Sequence, residues 1–181
     1  MAHDSGGGIW HAFMESMTFT QTVVLEQGGT GWEKIQSVFS AVRMWGGSVR
    51  LAYAVQITLA ATLAISLAWL WHSDAAFELK ASALAVGSLL ATPYVLDYDL
   101  VVLGIAIAYF ARLGLTQGFH ACEISLLAAA WLAPLLTRGV AQLTAMPLGL
   151  LVLLMLYVFI LRRATLDRAS VTIAAREIAH T

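Results

Sequence analysis

The chain has 181 residues, of which 60% are hydrophobic and 12% charged, and its formal net charge is −1. That balance is too apolar for an ordinary soluble domain, and near-neutral charge excludes nucleic-acid binding, which needs a basic stripe. The single cysteine, Cys122, excludes an intrachain disulfide and has no neighbouring ligands that would make a metal site.

Residues 1–49 are polar and glycine-rich compared with the remainder of the chain, with GGG at 6–8 and EQGGTG at 26–31. They predict loop and surface helix rather than a span. The start, MAHDSGGGIWHAFMES, lacks the basic head, apolar core and cleavage site of a secretory signal. EQGGTG lacks the lysine and spacing of a phosphate loop, and Glu26 reads there as a solvated loop acid. In WEKIQSVFSAVRMWGG (32–47), Trp32, Ile35, Val38, Phe39, Val42 and Trp45 recur near helical spacing. The pattern predicts an amphipathic helix at the membrane interface, with tryptophans at headgroup depth.

LAYAVQITLAATLAISLAWLW (51–71) contains no charged side chain and matches the roughly 20 helical residues that cross a hydrocarbon core. HSDAAFELK (72–80) reads as a polar turn, and ASALAVGSLLATPYV (81–95) as a shorter span stopping near Pro93. Three further spans are LVVLGIAIAYFARLG (100–114), ISLLAAAWLAPLLT (124–137) with a kink at Pro134, and PLGLLVLLMLYVFIL (147–161), which ends at Arg162 and Arg163. The expected fold is therefore all-α: a polytopic transmembrane bundle of about five spans, or four plus a re-entrant segment, behind an interfacial helix. The corresponding divisions are a polar N-terminal part at 1–49, a transmembrane domain at 50–163 and a cytoplasmic tail at 164–181.

An odd number of spans puts the chain ends on opposite sides. With the C-terminus cytoplasmic, Lys80, Arg112, Arg162, Arg163, Arg168 and Arg176 lie inside and Lys34, Arg43, Arg50 and Arg138 outside, the direction of the positive-inside bias. SVFSAVR and DYD then share the non-cytoplasmic face.

TPYVLDYDLVVLG (92–104) interrupts the apolar sequence with two acids. A carboxylate at membrane depth costs about 2.5–3.5 kcal/mol on insertion scales, so it needs a cavity, a partner or the interface. Asp97, between Tyr94, Tyr98 and the Pro93 break, is a candidate for a polar pocket; Asp99 fits either that pocket or the N-cap of the next helix. Arg43 suits a lipid phosphate, with snorkelling to headgroups as the alternative, while Gln36 and Ser37 offer neutral hydrogen bonds to a sugar or phosphate. His11, His72, His120 and His180 have no partner spacing and read as surface residues.

WEKIQSVFSAVRMWGG, LLATPYVLDYDLVVLGIAIAYFARLG and LYVFILRRA together resemble the C-terminal part of glycosyltransferase family 87, from about Phe19 to about Ala164. The resemblance implies the GT-C class of membrane enzymes, related to bacterial mannosyltransferases that use polyprenyl-phosphate sugars. It implies an extracytoplasmic acid acting as general base toward an acceptor hydroxyl, inversion at the anomeric carbon, and cations stabilising the departing lipid phosphate. The family's catalytic acid lies in an N-terminal half not matched here, so no catalytic residue is carried over. Gln36, Ser37, Arg43, Asp97 and Asp99 remain as substrate-binding candidates.

The expected partners are the lipid bilayer, a polyprenyl-phosphate sugar and an N-terminal half or partner membrane subunit. No cofactor or metal is expected, and the expected location is the bacterial inner membrane. Whether such a fragment is an active enzyme by itself is left open. A small transporter or channel subunit with an Asp-lined pathway is the alternative, although neither an internal repeat nor further intramembrane acids support it.

Overall fold

A computed structural model of the chain describes residues 5–29 and 31–179. Helices dominate: α1 (Ser5–Phe19), α2 (Val38–Met44), α3 (Val49–Trp71), α4 (Phe77–Ala91), α5 (Leu103–Gln117), α6 (Glu123–Thr144) and α7 (Leu148–Ala179). A π-helical stretch, Thr20–Glu26, continues α1, and 3₁₀ turns cover Trp32–Lys34 and Asp97–Val102. Among the described residues there is no strand; the sole β-type pairing is an antiparallel bridge between Ile35 and Leu96. His11, His72 and His120 are exposed, and His180 lies outside the described residues.

Short connections make successive long helices antiparallel neighbours, so α3 to α7 run up and down the bundle in turn. Among the described residues, four segments are long and apolar enough to cross a membrane: Val49–Trp71, Asp97–Gln117, Glu123–Thr144 and Leu148–Arg168. The fifth pass, α4, has 15 residues and a length of about 22 Å, short of the roughly 30 Å hydrocarbon core. It compensates by position. α3, α5 and α7 pack around it, and its small residues Ser82, Ala83 and Gly87 are buried, allowing close backbone approach. A Cβ at Gly87 would come 3.1 Å from Leu67 and 3.4 Å from Tyr157. Ser82 Oγ donates to the Ala106 carbonyl at 3.1 Å, which ties α4 to α5.

Several boundaries differ from the sequence expectation, each for a local reason. The interfacial helix over 32–47 is broken into a 3₁₀ turn, an extended Ile35–Ser37 stretch and the short α2. Ser37 stands in extended geometry and starts α2 afresh with a capping box: its Oγ accepts from Ser40 N at 3.1 Å, and Ser40 Oγ accepts from Ser37 N at 3.3 Å. The predicted turn at 72–80 ends sooner, because Phe77–Lys80 already form the first turn of α4. At the far end Pro93 forces Thr92 into extended geometry, φ −86° and ψ 126°, and α4 stops at Ala91. The stretch 138–146, expected as a link, is helical to Thr144, and Pro134 lies inside α6 without ending it. Likewise α7 continues past Arg162 and Arg163 to Ala179.

The main core surrounds α4 and includes Val86, Leu103, Phe110, Leu153, Leu156 and Ile160. A smaller cluster of Leu25, Ile35, Phe39, Ala52 and Leu96, with Tyr53 and Tyr94 against it, fastens the N-terminal segment onto one end of the bundle.

Candidate functional site

The break between α4 and α5 brings most of the sequence candidates to one end of the bundle. Gln36 N donates to the Val95 carbonyl at 2.6 Å, and Ile35 pairs with Leu96, so SVFSAVR and DYD share an end as their sequence positions predict. Gln56 anchors this end from within α3. Its Nε2 donates to the carbonyls of Leu90 at 3.0 Å and Ala91 at 3.1 Å, and its Oε1 accepts from Phe39 N at 3.2 Å. Those carbonyls belong to the last turn of α4, where the helix leaves acceptors without intrahelical partners.

The five candidates do not line one cavity. Gln36 is fully buried, with Oε1 accepting from Thr137 Oγ1 at 2.7 Å and Nε2 donating to the Glu33 carbonyl at 3.0 Å. Thr137 Oγ1 in turn accepts from Gly149 N at 2.8 Å, which links the segment to α6 and α7. Ser37 is buried in its capping role. Ser40, also buried, donates from Oγ to the Ile35 carbonyl. Arg43 donates from Nη1 to the Gly47 carbonyl at 2.7 Å and from Nη2 to the Glu26 carbonyl at 3.1 Å, with its guanidinium 5.0 Å from the centre of the Trp32 ring. Asp99 stands at the third position of the 3₁₀ turn rather than at its N-cap, and its Oδ2 accepts from Leu96 N at 2.9 Å.

Of the five, Asp97 is the one that faces a cavity. It lies at one end of a groove of about 640 Å³ between the start of α5 and α6, with Tyr98, Val101 and Gly104 on one wall and Trp131, Pro134 and Leu135 on the other. Its Oδ1 accepts from Tyr98 N at 3.1 Å. Tyr98, Val101, Trp131 and Leu135 are exposed, so apolar walls lead outward from a carboxylate. A Cβ at Gly104 would meet nothing within 4 Å, which leaves open space at that wall. Arg138, also exposed, follows Pro134 and Leu135 by one helical turn and so shares their face of α6.

A second polar cluster was missed at the sequence level. Glu26 Oε1 accepts from Tyr53 Oη at 3.0 Å and from Gln21 Nε2 at 3.3 Å, and Gln21 Nε2 also reaches Tyr53 Oη at 3.3 Å. Gln21, Tyr53 and Tyr94 line a cavity of about 660 Å³ between α1 with its π-helical extension and the bundle. Burial, with smaller contributions from Tyr98 and Asp99, pushes the Tyr94 phenol above its usual range. The available sequence signal was Glu26 followed 27 residues later by Tyr53 within an uncharged apolar run, which no spacing rule connects.

At the opposite end the buried charges are paired. Arg163 Nη1 donates to Glu123 Oε2 at 2.8 Å, with the two side chains 2% and 3% exposed. Arg163 Nη2 donates to the Gly118 carbonyl at 3.1 Å, and Glu123 Oε2 also accepts from His120 N at 2.8 Å. Among the described residues no group of three or more His, Cys, Asp or Glu side chains could hold a metal ion.

Residues 5–93 match the family model for glycosyltransferase family 87. The matched stretch contains Glu26, Tyr53 and the capping segment of α2 and ends at Pro93, just before the two acids. No curated protein and no solved structure matches the chain. Four apolar helices of spanning length make this a multi-pass membrane protein, and over residues 5–93 it is similar to a family of glycosyltransferases.

Proposed function

We propose that this chain, similar over residues 5–93 to glycosyltransferase family 87, contributes to a GT-C-type transfer of a hexose, in the first instance mannose, from a polyprenyl-phosphate sugar to an extracytoplasmic acceptor. The observation that carries the proposal is the groove between α5 and α6, with apolar, outward-facing walls and Asp97 at one end. An isoprenoid chain is bulky and apolar, and Val101, Trp131 and Leu135 supply an apolar wall already open to the side of the bundle.

In this reading the phosphate lies toward Arg138, whose guanidinium offsets the charge that develops on the leaving phosphate. Asp97 accepts the proton of the acceptor hydroxyl as its oxygen bonds to the anomeric carbon. The bond from that carbon to the phosphate oxygen breaks, and its electron pair leaves with the lipid phosphate. Gln36, Ser37, Arg43 and Asp99 act at one remove, holding the platform from which Asp97 projects.

The test is binding and transfer in nanodiscs with a polyprenyl phosphate and its hexose-bearing form. Gly104→Leu starts its side chain in open space at Cβ, projects it into the groove and should abolish lipid-phosphate binding. Asp97→Asn should lower transfer by about 10²–10⁴-fold, the usual worth of a general base. It should also leave lipid-phosphate binding intact or tighter, because one repelling charge is gone. Unchanged binding in a folded Gly104→Leu protein refutes the groove.

A further inference from the structure

Helical spacing places the interfacial helix at 32–47, yet Ile35, Gln36, Ser37, Phe39, Ser40 and Ala41 are buried in the fold. The helix left with an uncovered apolar face is α1, where every residue from Ile9 to Phe19 is exposed. We propose that α1 lies in the plane of the membrane interface, its apolar arc among the acyl chains of a zwitterionic bilayer surface and its polar arc in water.

The two arcs follow from residue order. Ile9, Phe13 and Met17 stand at i, i+4 and i+8, with Trp10 and Met14 on the adjoining row, so these large apolar side chains share one side. His11, Glu15 and Thr18 occupy the opposite side, where His11 Nδ1 lies 3.4 Å from Glu15 Oε1. Phe19 is the large apolar residue that falls outside the arc. Trp10, edge-on to Phe13 with ring centroids 5.9 Å apart, is of the residue type that favours headgroup depth.

The fold holds α1 at that depth. Its π-helical continuation is pinned by Leu25 in the smaller core cluster and by the bonds of Gln21 and Glu26 to Tyr53, one turn inside the start of α3. Since α3 is of spanning length, Tyr53 stands near the edge of the hydrocarbon. Phe13, Met14 and Met17 line the cavity of about 660 Å³ beside Tyr53 without filling it. One turn deeper on the same side of α3, Ile57 is 65% exposed, so the apolar face of α1 adjoins a lipid-facing surface.

Charge selects the kind of surface. No lysine or arginine precedes Lys34 in the chain, so α1 has no such cation to hold an anionic headgroup and its seating rests on apolar burial. A pass across the bilayer, for which Ser5–Glu26 is long enough, would carry Glu15 into hydrocarbon. Seating of α1 is independent of the groove at Asp97 and of glycosyl transfer.

The test reads depth by spin-label accessibility in the full chain, with Cys122→Ser removing the native thiol, in phosphatidylcholine nanodiscs. Labels at Trp10→Cys, Phe13→Cys and Met17→Cys should collide preferentially with oxygen, which partitions into lipid. Labels at His11→Cys, Glu15→Cys and Thr18→Cys should collide preferentially with a water-soluble nickel chelate. These positions are all exposed, so a label there displaces no core residue. Ile57→Cys supplies the hydrocarbon reference. Exchanging part of the lipid for phosphatidylglycerol should leave the alternation unchanged. Oxygen preference at every α1 position would make the helix a pass, and nickel preference at every position would put it in water. Apolar positions shielded from both reagents would mean that protein, such as a second copy of the chain, covers them. Each of these results overturns the proposal, as does an alternation that appears only with phosphatidylglycerol.

Discussion

At the Asp97 end of the bundle the buried polar groups are neutral amides and hydroxyls, Gln36, Gln56 and Thr137, each bonded to backbone or to another of the set. At the Glu123 end, beside the buried Ser73 hydroxyl, the buried polar groups include two ions, with Arg163 and Glu123 bonded directly at 2.8 Å and both nearly inaccessible. The first arrangement leaves two cavities beside it and holds a chain break open. The second draws the α5–α6 link onto α7 through Gly118, His120 and Glu123. The contrast separates an end flanked by cavities of about 640 and 660 Å³ from an end whose buried ions close on each other beside a smaller one of about 230 Å³.

The largest expected effect therefore lies far from both cavities. Removing one partner of a buried pair leaves the other charge poorly compensated, here with Arg163 Nε keeping only Asp167 at 3.5 Å, and the usual loss is about 3–5 kcal/mol. Glu123→Ala or Arg163→Ala should destabilise the detergent-solubilised protein on that scale, measured as denaturant-induced loss of tertiary signal. A Glu123→Leu, Arg163→Met double variant should recover most of the loss, because apolar replacement of both partners removes the stranded charge. Additive losses in the double variant would mean that the pair does not close this end as a unit.

A smaller effect is expected from the amide that holds the other end together. Gln56→Leu keeps the volume but orphans Phe39 N and removes donors from Leu90 and Ala91, so about 1–3 kcal/mol should be lost. Hydrogen exchange should locate the loss in α2 and the last turn of α4, sparing α6 and α7. Exchange that rises uniformly over the bundle would contradict the separation of the two ends.

The same contrast marks where the sequence was readable. Apolar run length found the passes at α3, α5, α6 and α7, because a long run with so few charged residues has few alternatives in a membrane. Pro93 correctly announced the break, through the geometry it forces on Thr92. Helical spacing overran at 32–47, because periodicity cannot register that Ser37 and Ser40 cap each other and that Ile35 finds Leu96 61 positions away. Glu26 was read as solvated for the same reason: its partner Tyr53 is distant in the chain, and nothing in the local sequence brings them together. Arg163 looked like the end of a span, and only the fold places Glu123 opposite it. Long-range polar pairing is the part that residue order alone leaves unspecified.

The finest discrimination between the ends comes from Tyr94, which lies at the break itself. Its phenol is held above the ordinary tyrosine range, chiefly by burial and secondarily by Tyr98 and Asp99. A raised acid binds its proton more tightly folded than unfolded. Its contribution is therefore complete below the unfolded value of about 10 and is lost as pH climbs through the higher folded value. Thermal stability should accordingly fall above about pH 10 in the parent protein, and Tyr94→Phe should flatten part of that fall while leaving stability near neutral pH almost unchanged. Parallel curves for the two proteins would assign the alkaline loss to other groups and remove Tyr94 from the polar end. A flatter curve confined to probes in 92–99 would place the alkaline weak point at the break beside the two cavities, with the ion-paired end unaffected.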